Sequence, residues 1–462
     1  VLKLLESSEL LSGHNSFLKQ ILINLSSVMI SSSLIYTIWQ SPAIVLKKNL
    51  SEINYFPNHW SLFNLISIFV LILNLSFTAK TTGCSAKLNG GLPKKEPLYL
   101  RLKSKKIELF HPEGPTIELK KSEQLVIACS GSKNYITPLK NSSNVAYGRC
   151  RSEDVLNFGK NSSSISDLAC DKTITGDIIT SKDKCTGDGT WSYIGFDVRD
   201  DQVGFVPLYK VCYDQKTGSV VYTEHTIFGT SIADSEKESY RPSFKSTGTP
   251  KHVSPAEAYK QETQKEIFAE LLGSSQLAEK YFEGANAFLA RGHMSPDADF
   301  TFAIWQYATY FYVNVCPQWQ AVNAGNWLRV ENLARKLGSS RAEDLTVYSG
   351  VHDILTLPDV NNNEVKMSIA KDGNIWVPKW NWKIVQSPKT GEGIAFVTLN
   401  NPYAEKVPHK DLLCKDICKE AGFEDSYFAD LTRGYTYCCN VDDLLAAVET
   451  APKVEVKLLM KA

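Results

Sequence analysis

Residues 286–337 carry the strongest fold signal in this chain, and they open with Asn286-Ala-Phe-Leu-Ala-Arg-Gly-His-Met-Ser-Pro296. This run begins as a strand and breaks at Gly292-His293, and Pro296 predicts the opening of a helix. The aromatic and β-branched run 309–315 predicts a second strand, and residues 323–337 predict a helix that Gly338 ends. The predicted order is strand, insertion, strand, helix, with a histidine at the end of the first strand.

The predicted helix carries polar residues on one face. Asn323, Trp327 and Glu331 are spaced i, i+4 and i+8, so they lie along one side of the helix. A helix packed across the first strand would bring this row toward His293. An imidazole titrates near neutrality and can accept a proton there.

The flanking sequence predicts a hairpin and two helices. Residues 203–213 and 219–228 alternate like strands, and Lys216-Thr217-Gly218 between them has turn chemistry. Ser254-Pro255-Ala256-Glu257 predicts a capped helix start, and Gly273 predicts its end. A shorter helix is expected over 276–282, ending near Gly284.

The run Leu289-Ala290-Arg291-Gly292-His293 resembles the Arg-Gly-His signature of the DNA/RNA non-specific endonucleases. That family has the ββα-metal fold and includes the Serratia-type and mitochondrial G-type nucleases. Asn314, nine residues before Asn323, and the Asn323-x3-Trp327-x3-Glu331 helix continue the match. The resemblance covers roughly residues 200–450 and is strongest at 286–336.

Residues 290–300 and the run Pro317-Gln-Trp-Gln320, with the long N-terminal portion, most resemble arthropod secreted double-stranded nucleases. One departure concerns Ala290, because many members have Asp before Arg-Gly-His. That Asp is not the base, so we expect activity to survive, with different local support of Arg291.

The resemblance implies a role for each matching residue. Phosphodiester hydrolysis needs an activated water, a cation on the phosphate oxygens and compensation of transition-state charge. His293 matches the general base. Asn323 matches the protein ligand of a Mg²⁺ ion, for which Mn²⁺ could substitute, and Mg²⁺ prefers oxygen ligands and water. Asn314 and Glu331 match outer residues that orient the waters and the histidine loop.

Two arginines are candidates for contact with the phosphate. Arg241, in Tyr240-Arg-Pro-Ser-Phe244, is the candidate for the family's upstream arginine. Arg291 is a candidate either for phosphate contact or for local structure.

The predicted site residues also have structural interpretations. His293 could be a turn residue after a glycine, and Asn323 could be a helix N-cap. Glu331 could pair with Arg335 four residues on. The aromatic run Trp305–Tyr312 and Trp327 are expected in the core rather than as base-stacking platforms.

The other histidines offer no second site. His225, His252 and His352 form no metal-binding spacing, so we expect them to be structural or solvated. Cys414-x3-Cys418 with Cys438-Cys439 could suggest zinc, but disulfides are favoured in a cysteine-rich secreted chain.

Composition limits the classes of protein. The chain has 462 residues, 50 Lys+Arg and 50 Asp+Glu, for a formal net charge of zero, so binding by bulk positive charge alone is excluded. A hydrophobic fraction of 43% supplies a globular core and excludes disorder as the main state.

Cysteines and sequons indicate the secretory pathway. Eleven scattered cysteines favour a disulfide framework, and Asn141-Ser-Ser143 and Asn161-Ser-Ser163 are N-glycan acceptor sequons. The apolar run 60–75 has signal-peptide length, with a membrane anchor as the alternative. Cleavage after Ala86 would leave ten cysteines, whereas cleavage after Gly83 would keep Cys84 and leave one thiol unpaired.

The predicted organisation is α+β. It comprises a doubtful extension (1–58), a signal peptide or anchor (59–86), a small disulfide-stapled β domain (87–200), a ββα-metal endonuclease domain with a mixed central sheet (201–450) and a tail (451–462).

We therefore predict a secreted, Mg²⁺-dependent endonuclease whose substrates are DNA and RNA, cleaved with little sequence preference, because contacts to phosphate carry no sequence information. We expect no stable membrane association of the mature form. The alternatives are an inactive secreted nucleic-acid-binding glycoprotein and an organellar nuclease, and the cysteines and sequons disfavour the second.

Overall fold

The computed structural model describes residues 83–462, apart from residues 105, 140–142, 201, 238–239 and 372–373. The predictions for residues 1–82 and for the Asn141 sequon therefore lie outside the described residues. The strands up to the predicted catalytic histidine are β1 (Gly83–Lys87), β2 (Leu98–Lys103), β3 (Lys106–Leu109), β4 (Thr116–Lys120), β5 (Gln124–Ala128), β6 (Val145–Ser152), β7 (Val155–Phe158), β8 (Asn161–Ser164), β9 (Asp177–Lys184), β10 (Thr190–Asp197), β11 (Phe205–Asp214), β12 (Ser219–Ile227) and β13 (Leu289–His293).

The later strands are β14 (Val315–Trp319), β15 (Leu345–Ile354), β16 (Thr356–Pro358), β17 (Glu364–Lys366), β18 (Ser368–Ala370), β19 (Asn374–Trp376), β20 (Pro378–Gln386), β21 (Glu392–Leu399), β22 (Thr436–Cys439) and β23 (Leu458–Leu459). The helices are α1 (Pro255–Ala258), α2 (Gln261–Leu272), α3 (Ser275–Glu279), α4 (Ala303–Tyr307), α5 (Gln320–Val322), α6 (Leu328–Arg341), α7 (Cys418–Ala421) and α8 (Val441–Ala447).

The largest sheet has nine strands. Eight run in the order β22-β21-β20-β15-β12-β11-β10-β9, each antiparallel to its neighbour, and β23 pairs with β21 in parallel. The α+β class and the mixed central sheet are therefore confirmed. Pairing continues across residue 200, because β10 pairs with β11, and the predicted boundary there stays a prediction.

The first described part of the chain is mostly β-structure. Six strands pair in the order β3-β2-β5-β6-β7-β8, and β1 pairs with β4. The disulfides Cys84–Cys150 and Cys129–Cys170 cross-link this part.

The disulfides bear on the two alternatives for the cleavage site. Cys84 is bonded to Cys150 within β1 and β6, so cleavage after Ala86 would remove a bonded partner. One thiol is unpaired when Cys84 is kept, as the Gly83 alternative predicts, and it is that of Cys316, which is buried on β14. The remaining bonds are Cys185–Cys212, Cys414–Cys439 and Cys418–Cys438. The disulfide interpretation of the last four cysteines is therefore confirmed over the zinc alternative.

Helix α6 packs on the face of the central sheet through apolar residues at helical spacing. Val330, Ala334 and Leu337 are buried in one cluster with Val347 of β15 and Val385 of β20. The helix runs past Gly338, contrary to the prediction, and ends where Ala342 takes a left-handed φ of 47°. A Cβ at position 338 would lie 3.1 Å from a methyl carbon of Ile227, so the glycine serves close helix–sheet packing.

The predicted hairpin and the order strand, strand, helix are confirmed, but one strand was misplaced. The second strand begins at Val315, and Tyr312–Asn314 form a 3₁₀ turn. Every residue from 309 to 315 is buried, so the aromatic content reflects enclosure in the core rather than a strand with one exposed face.

The predicted helix from Ser254 is in fact two helices, α1 and α2, and Ser254 makes no side-chain capping bond. Gly273 ends α2 in the left-handed conformation as predicted, with φ 71°. The predicted short helix is α3, which begins one residue earlier than expected and is capped by Ser274.

Candidate active site

His293 is the last residue of β13, in the hairpin that β13 forms with β14. It pairs with Val315 across the hairpin. The preceding residue must be small, because a Cβ on Gly292 would lie 2.5 Å from the side-chain oxygen of Gln318. The turn interpretation of His293 is therefore wrong, and the strand fixes the direction of its backbone.

The His293 imidazole is enclosed by aromatic rings. Its centroid lies 5.2 Å from the Phe244 ring and 5.1 Å from the Tyr310 ring. The Nε2 atom is buried, and no hydrogen-bond partner for it exists among the described residues. Burial, with the nearby Arg241 charge, lowers the pKa of His293 to about 4. The ring is therefore neutral at physiological pH and able to accept a proton.

Arg241 lies beside this imidazole at the protein surface. Its side chain is 64% exposed and forms an ion pair with Asp297. Its Nη1 donates to the Tyr310 hydroxyl at 2.6 Å, and that hydroxyl donates to the Asp297 carboxylate at 2.8 Å. An exposed guanidinium held next to the proton acceptor can meet a phosphate.

Arg291 lies among aromatic side chains. Its guanidinium carbon is 5.4 to 5.6 Å from the ring centroids of Phe244, Tyr259 and Tyr312. Its Nε donates to the Tyr312 hydroxyl at 3.3 Å. These contacts favour the local-structure alternative for Arg291 over phosphate contact.

Asn314 holds the segment that follows His293. Its side chain is fully buried, and its Oδ1 accepts from the Ser295 backbone N–H at 3.0 Å. Its Nδ2 donates to the carbonyls of Ser295 and Thr309, both at 2.9 Å. All three bonds fix the path of the backbone on either side of the insertion between β13 and β14.

Asn323 lies in a wide π-helical turn, Asn323–Trp327, between α5 and α6. Its own φ and ψ are helical, −57° and −49°, so the N-cap alternative is wrong. The side chain is half-buried, and its Nδ2 donates to Oε1 of Gln320 at 3.4 Å. That hydrogen bond uses the amide nitrogen, so the carboxamide oxygen is the atom suited to Mg²⁺.

Glu331 is buried one turn along α6 from Trp327. Its exposure is 8%, and burial raises the pKa of its carboxyl to about 7. Lys383 on β20, fully buried, opposes that rise. The alternative in which Glu331 pairs with Arg335 is wrong, because Arg335 donates to Asp299 at 2.7 Å.

A buried polar network that no sequence pattern predicts connects α6 to the His293 segment. The Asp299 carboxylate accepts from Arg335 and lies 2.9 Å from Nε2 of His225. These partners hold the pKa of Asp299 down to about 2 against the effect of its burial. Nδ1 of His225 lies 3.0 Å from the hydroxyl of Ser295. Asp299 follows the histidine motif closely, but no sequence signal pairs it with His225 or Arg335.

The structure therefore arranges the predicted residues in two groups. His293, Arg241, Arg291 and Asn314 surround the end of β13, and Asn323 and Glu331 lie on the helical segment after β14. The network through Asp299 joins the second group to the first. The side-chain amides of Asn323 and Gln320, joined by a hydrogen bond, offer oxygen atoms of the kind that Mg²⁺ prefers.

The remaining expectations concern side chains away from this site. Trp305 and Trp327 are each 1% exposed, which confirms their place in the core. His225 is buried and hydrogen-bonded, as a structural histidine is expected to be. Nε2 of His252 lies 3.2 Å from the Lys216 carbonyl on the surface.

Comparison with known proteins adds the family. The family model of the DNA/RNA non-specific endonucleases matches residues 187–444. A salivary endonuclease of Lutzomyia longipalpis is 32% identical over 394 residues, which cover 83% of this chain and 88% of that protein. Salivary protein Tsal1 of Glossina morsitans morsitans is 29% identical, over 85% of this chain and 98% of that protein.

A more distant relative and a solved structure cover less of the chain. The mitochondrial nuclease EXOG of Xenopus laevis is 29% identical over 33% of this chain and 44% of its own length. A chain in the crystal structure of the EndoG/EndoGI complex aligns over 43% of this chain and 74% of that chain, with 18% identity and a TM-score of 0.29. The family match and the extent of identity to the salivary endonuclease show that this chain belongs to the DNA/RNA non-specific endonuclease family, close to the salivary nucleases of arthropods.

Proposed function

We propose that this protein is a secreted, Mg²⁺-dependent endonuclease that hydrolyses phosphodiester bonds of double-stranded DNA and RNA with little sequence preference. One observation carries the proposal. The Nε2 atom of His293 is buried and has no hydrogen-bond partner among the described residues, and the exposed Arg241 lies beside its ring. A neutral, unsatisfied imidazole next to an exposed guanidinium suits general-base attack on a phosphodiester.

In this proposal His293 takes a proton from water as the water oxygen attacks the phosphorus. The bond from phosphorus to the 3′-oxygen breaks and that oxygen takes a proton from solvent water, which leaves a 5′-phosphate and a 3′-hydroxyl, as the family resemblance implies. Arg241 binds a nonbridging oxygen and offsets the charge that develops there. Asn314 keeps the His293 segment in place, and the local-structure role is assigned to Arg291.

Asn323 would hold the metal ion through its amide oxygen, with Glu331 orienting the waters around it. A bound Mg²⁺, or Mn²⁺ in its place, would supply charge stabilisation at the phosphate and leaving oxygens. The lowered pKa of His293 keeps the base unprotonated well below neutral pH.

The location and domain layout belong to the same proposal. Five disulfides are typical of a protein from an oxidising compartment. Two relatives, 32% and 29% identical to this chain, are named as salivary proteins. We propose a disulfide-stapled β domain before residue 200 and the ββα-metal domain over 201–450. Among the described residues no helix has the length and apolar character to cross a membrane.

The test is digestion of plasmid DNA and of duplex RNA by the purified full chain, in Mg²⁺ and in EDTA. We expect cleavage of both in Mg²⁺, none in EDTA, and loss of cleavage in His293→Ala. His252→Ala is the matched control, because its ring lies at the surface with one carbonyl contact. Cleavage by His293→Ala at the parental rate would refute the assignment of the base, and cleavage in EDTA would refute the metal role of Asn323.

A further inference from the structure

An exposed tyrosine lies against two arginines near the Asn323 turn. Tyr427 is 42% exposed. The guanidinium carbon of Arg329, on α6, lies 4.0 Å from its ring centroid, and that of Arg433 lies 4.8 Å from it. We call Arg329, Tyr427 and Arg433 the Arg–Tyr cluster.

The cluster is fastened to the turn that carries Asn323. The fully buried Asn326 donates from its Nδ2 to the Tyr427 carbonyl at 2.6 Å and to the Gly434 carbonyl at 2.8 Å. A Cβ on Gly325 would lie 2.7 Å from the Arg433 carbonyl oxygen, so the two backbones are in direct contact. The segment that carries the candidate metal ligand and the segment that carries the cluster are therefore in direct contact.

Carboxylates and disulfides hold the cluster in place. Asp425 accepts from Nη1 of Arg329 at 2.8 Å and from the Tyr427 backbone N–H at 2.9 Å. Asp430 lies 3.3 Å from Nε of Arg433. Two disulfides, Cys414–Cys439 and Cys418–Cys438, cross-link the chain on either side of this segment.

The charges of the cluster select the chemistry of its ligand. Two carboxylates balance the two guanidinium groups, so bulk attraction of an anion is not the basis for binding. What remains is a partly exposed aromatic ring with planar N–H donors over it, each guanidinium having five such donors. Aromatic rings bind the sugar and base of a nucleotide by stacking, and arginine binds its phosphate by hydrogen bonds.

We propose that the Arg–Tyr cluster is a substrate subsite. It binds a nucleotide of the cleaved strand that flanks the scissile phosphate on the Asn323 side, with Tyr427 against its sugar or base and the arginines on its phosphate. The proposal rests on the proposed endonuclease function and adds to it a reason for preferring long nucleic acid over short phosphodiesters.

The test compares a long DNA duplex with bis(p-nitrophenyl) phosphate, which has no nucleotide flanking its phosphate. For Tyr427→Ala and Arg433→Ala we expect KM for the duplex to rise about tenfold, since one stacked nucleotide is worth about that factor. The kcat on the duplex and the turnover of the short ester should stay at the parental values. Tyr427→Phe keeps the ring and should keep the parental KM.

Tyr147→Ala is the matched control, because Tyr147 has a similar exposure of 37% and lies on β6. A KM for the duplex within twofold of the parent in both cluster variants would overturn the proposal. A fall in kcat on both substrates would also overturn it, because the cluster would then only support the Asn323 turn.

The activity of the parent protein distinguishes failure of the proposed endonuclease function from failure of the proposed subsite. If the parent cleaves neither substrate, fluorescence anisotropy with the same duplex in EDTA still compares parent and Tyr427→Ala. Weaker binding by the variant supports the subsite, and equal binding overturns it.

Discussion

Replacing Asn314 tests how far the hydrogen bonds of its side chain stabilise the segment that follows His293. In Asn314→Ala the Ser295 N–H loses its acceptor, and the carbonyls of Ser295 and Thr309 lose their donor, all in a site with no solvent exposure. A buried polar group left unsatisfied costs about 1–3 kcal/mol, and carbonyls tolerate the loss better than N–H groups, so we expect a loss of about 3–5 kcal/mol. That is a large part of the about 5–15 kcal/mol by which domains are stable.

Asn314→Asp gives a sharper test because it keeps the shape of the side chain. The Oδ1 acceptor for Ser295 remains, but a carboxylate oxygen replaces the Nδ2 donor opposite two carbonyl oxygens. The folded state then favours the protonated acid, so the pKa of the new carboxyl should be higher in the folded than in the unfolded chain. Stability relative to the parent should be retained below the unfolded pKa and lost as pH rises through the folded pKa.

The assay is urea unfolding followed by tryptophan fluorescence, with cleavage measured at a temperature where each variant is folded. We expect kcat to fall more than KM rises, because Ser295 lies two residues after His293. Unfolding of Asn314→Ala within 0.5 kcal/mol of the parent, a difference of about the experimental error, would refute the hydrogen-bond argument. A pH-independent loss in Asn314→Asp would refute the electrostatic part of it.

Three further predictions concern the pH profile, the buried ion pair and the Asn323 turn. Because the pKa of His293 is about 4, kcat/KM should stay constant down to about pH 5 and fall as pH drops through 4. Arg241→Ala removes a charge that lowers this pKa, so the fall in kcat/KM should move to higher pH. A fall centred near pH 6.5 in the parent would contradict the argument that burial lowers the pKa. The pKa of Asp299 is about 2 in the folded chain, so its carboxylate contributes stability above the pKa that it has in the unfolded chain, and this contribution is lost as pH falls toward 2. The melting temperature of Asp299→Asn should therefore depend less on pH between these two pKa values than that of the parent. Gly325→Ala should lower the melting temperature by several degrees and weaken Mg²⁺-dependent cleavage, because the added Cβ meets the Arg433 backbone; parental melting would show that the turn can relax.

Local sequence patterns located the histidine hairpin because they depend on near neighbours. Adjacent residues predict the strand that ends at His293, the hairpin turn at Gly218 and the left-handed conformation of Gly273. The run 309–315 was misread because aromatic side chains indicate burial and strand equally. Only the fold distinguishes the two.

Partners distant in the chain were out of reach of the sequence. Asp299 joins residues 74 positions earlier and 36 positions later, and neither spacing has a local signature. The Cys84–Cys150 pairing is of the same kind, because a count of cysteines does not say which of them pair or which thiol stays reduced. The roles of Asn314 and Asn323 came from the family motif, whereas their hydrogen bonds came from the fold.

The reduced thiol of Cys316 lies in the hairpin that carries His293 and can report on the opening of that hairpin. Cys316 pairs with Gly292 across β13 and β14, and its Sγ donates to Oδ1 of Asn381 at 3.4 Å. Burial raises its pKa to about 12, so iodoacetamide, which reacts with thiolates, meets no reactive sulfur while the hairpin is closed. The ten other cysteines are oxidised and do not react. The rate of alkylation therefore measures how often β13, which carries His293, separates from β14, and no label has to be introduced.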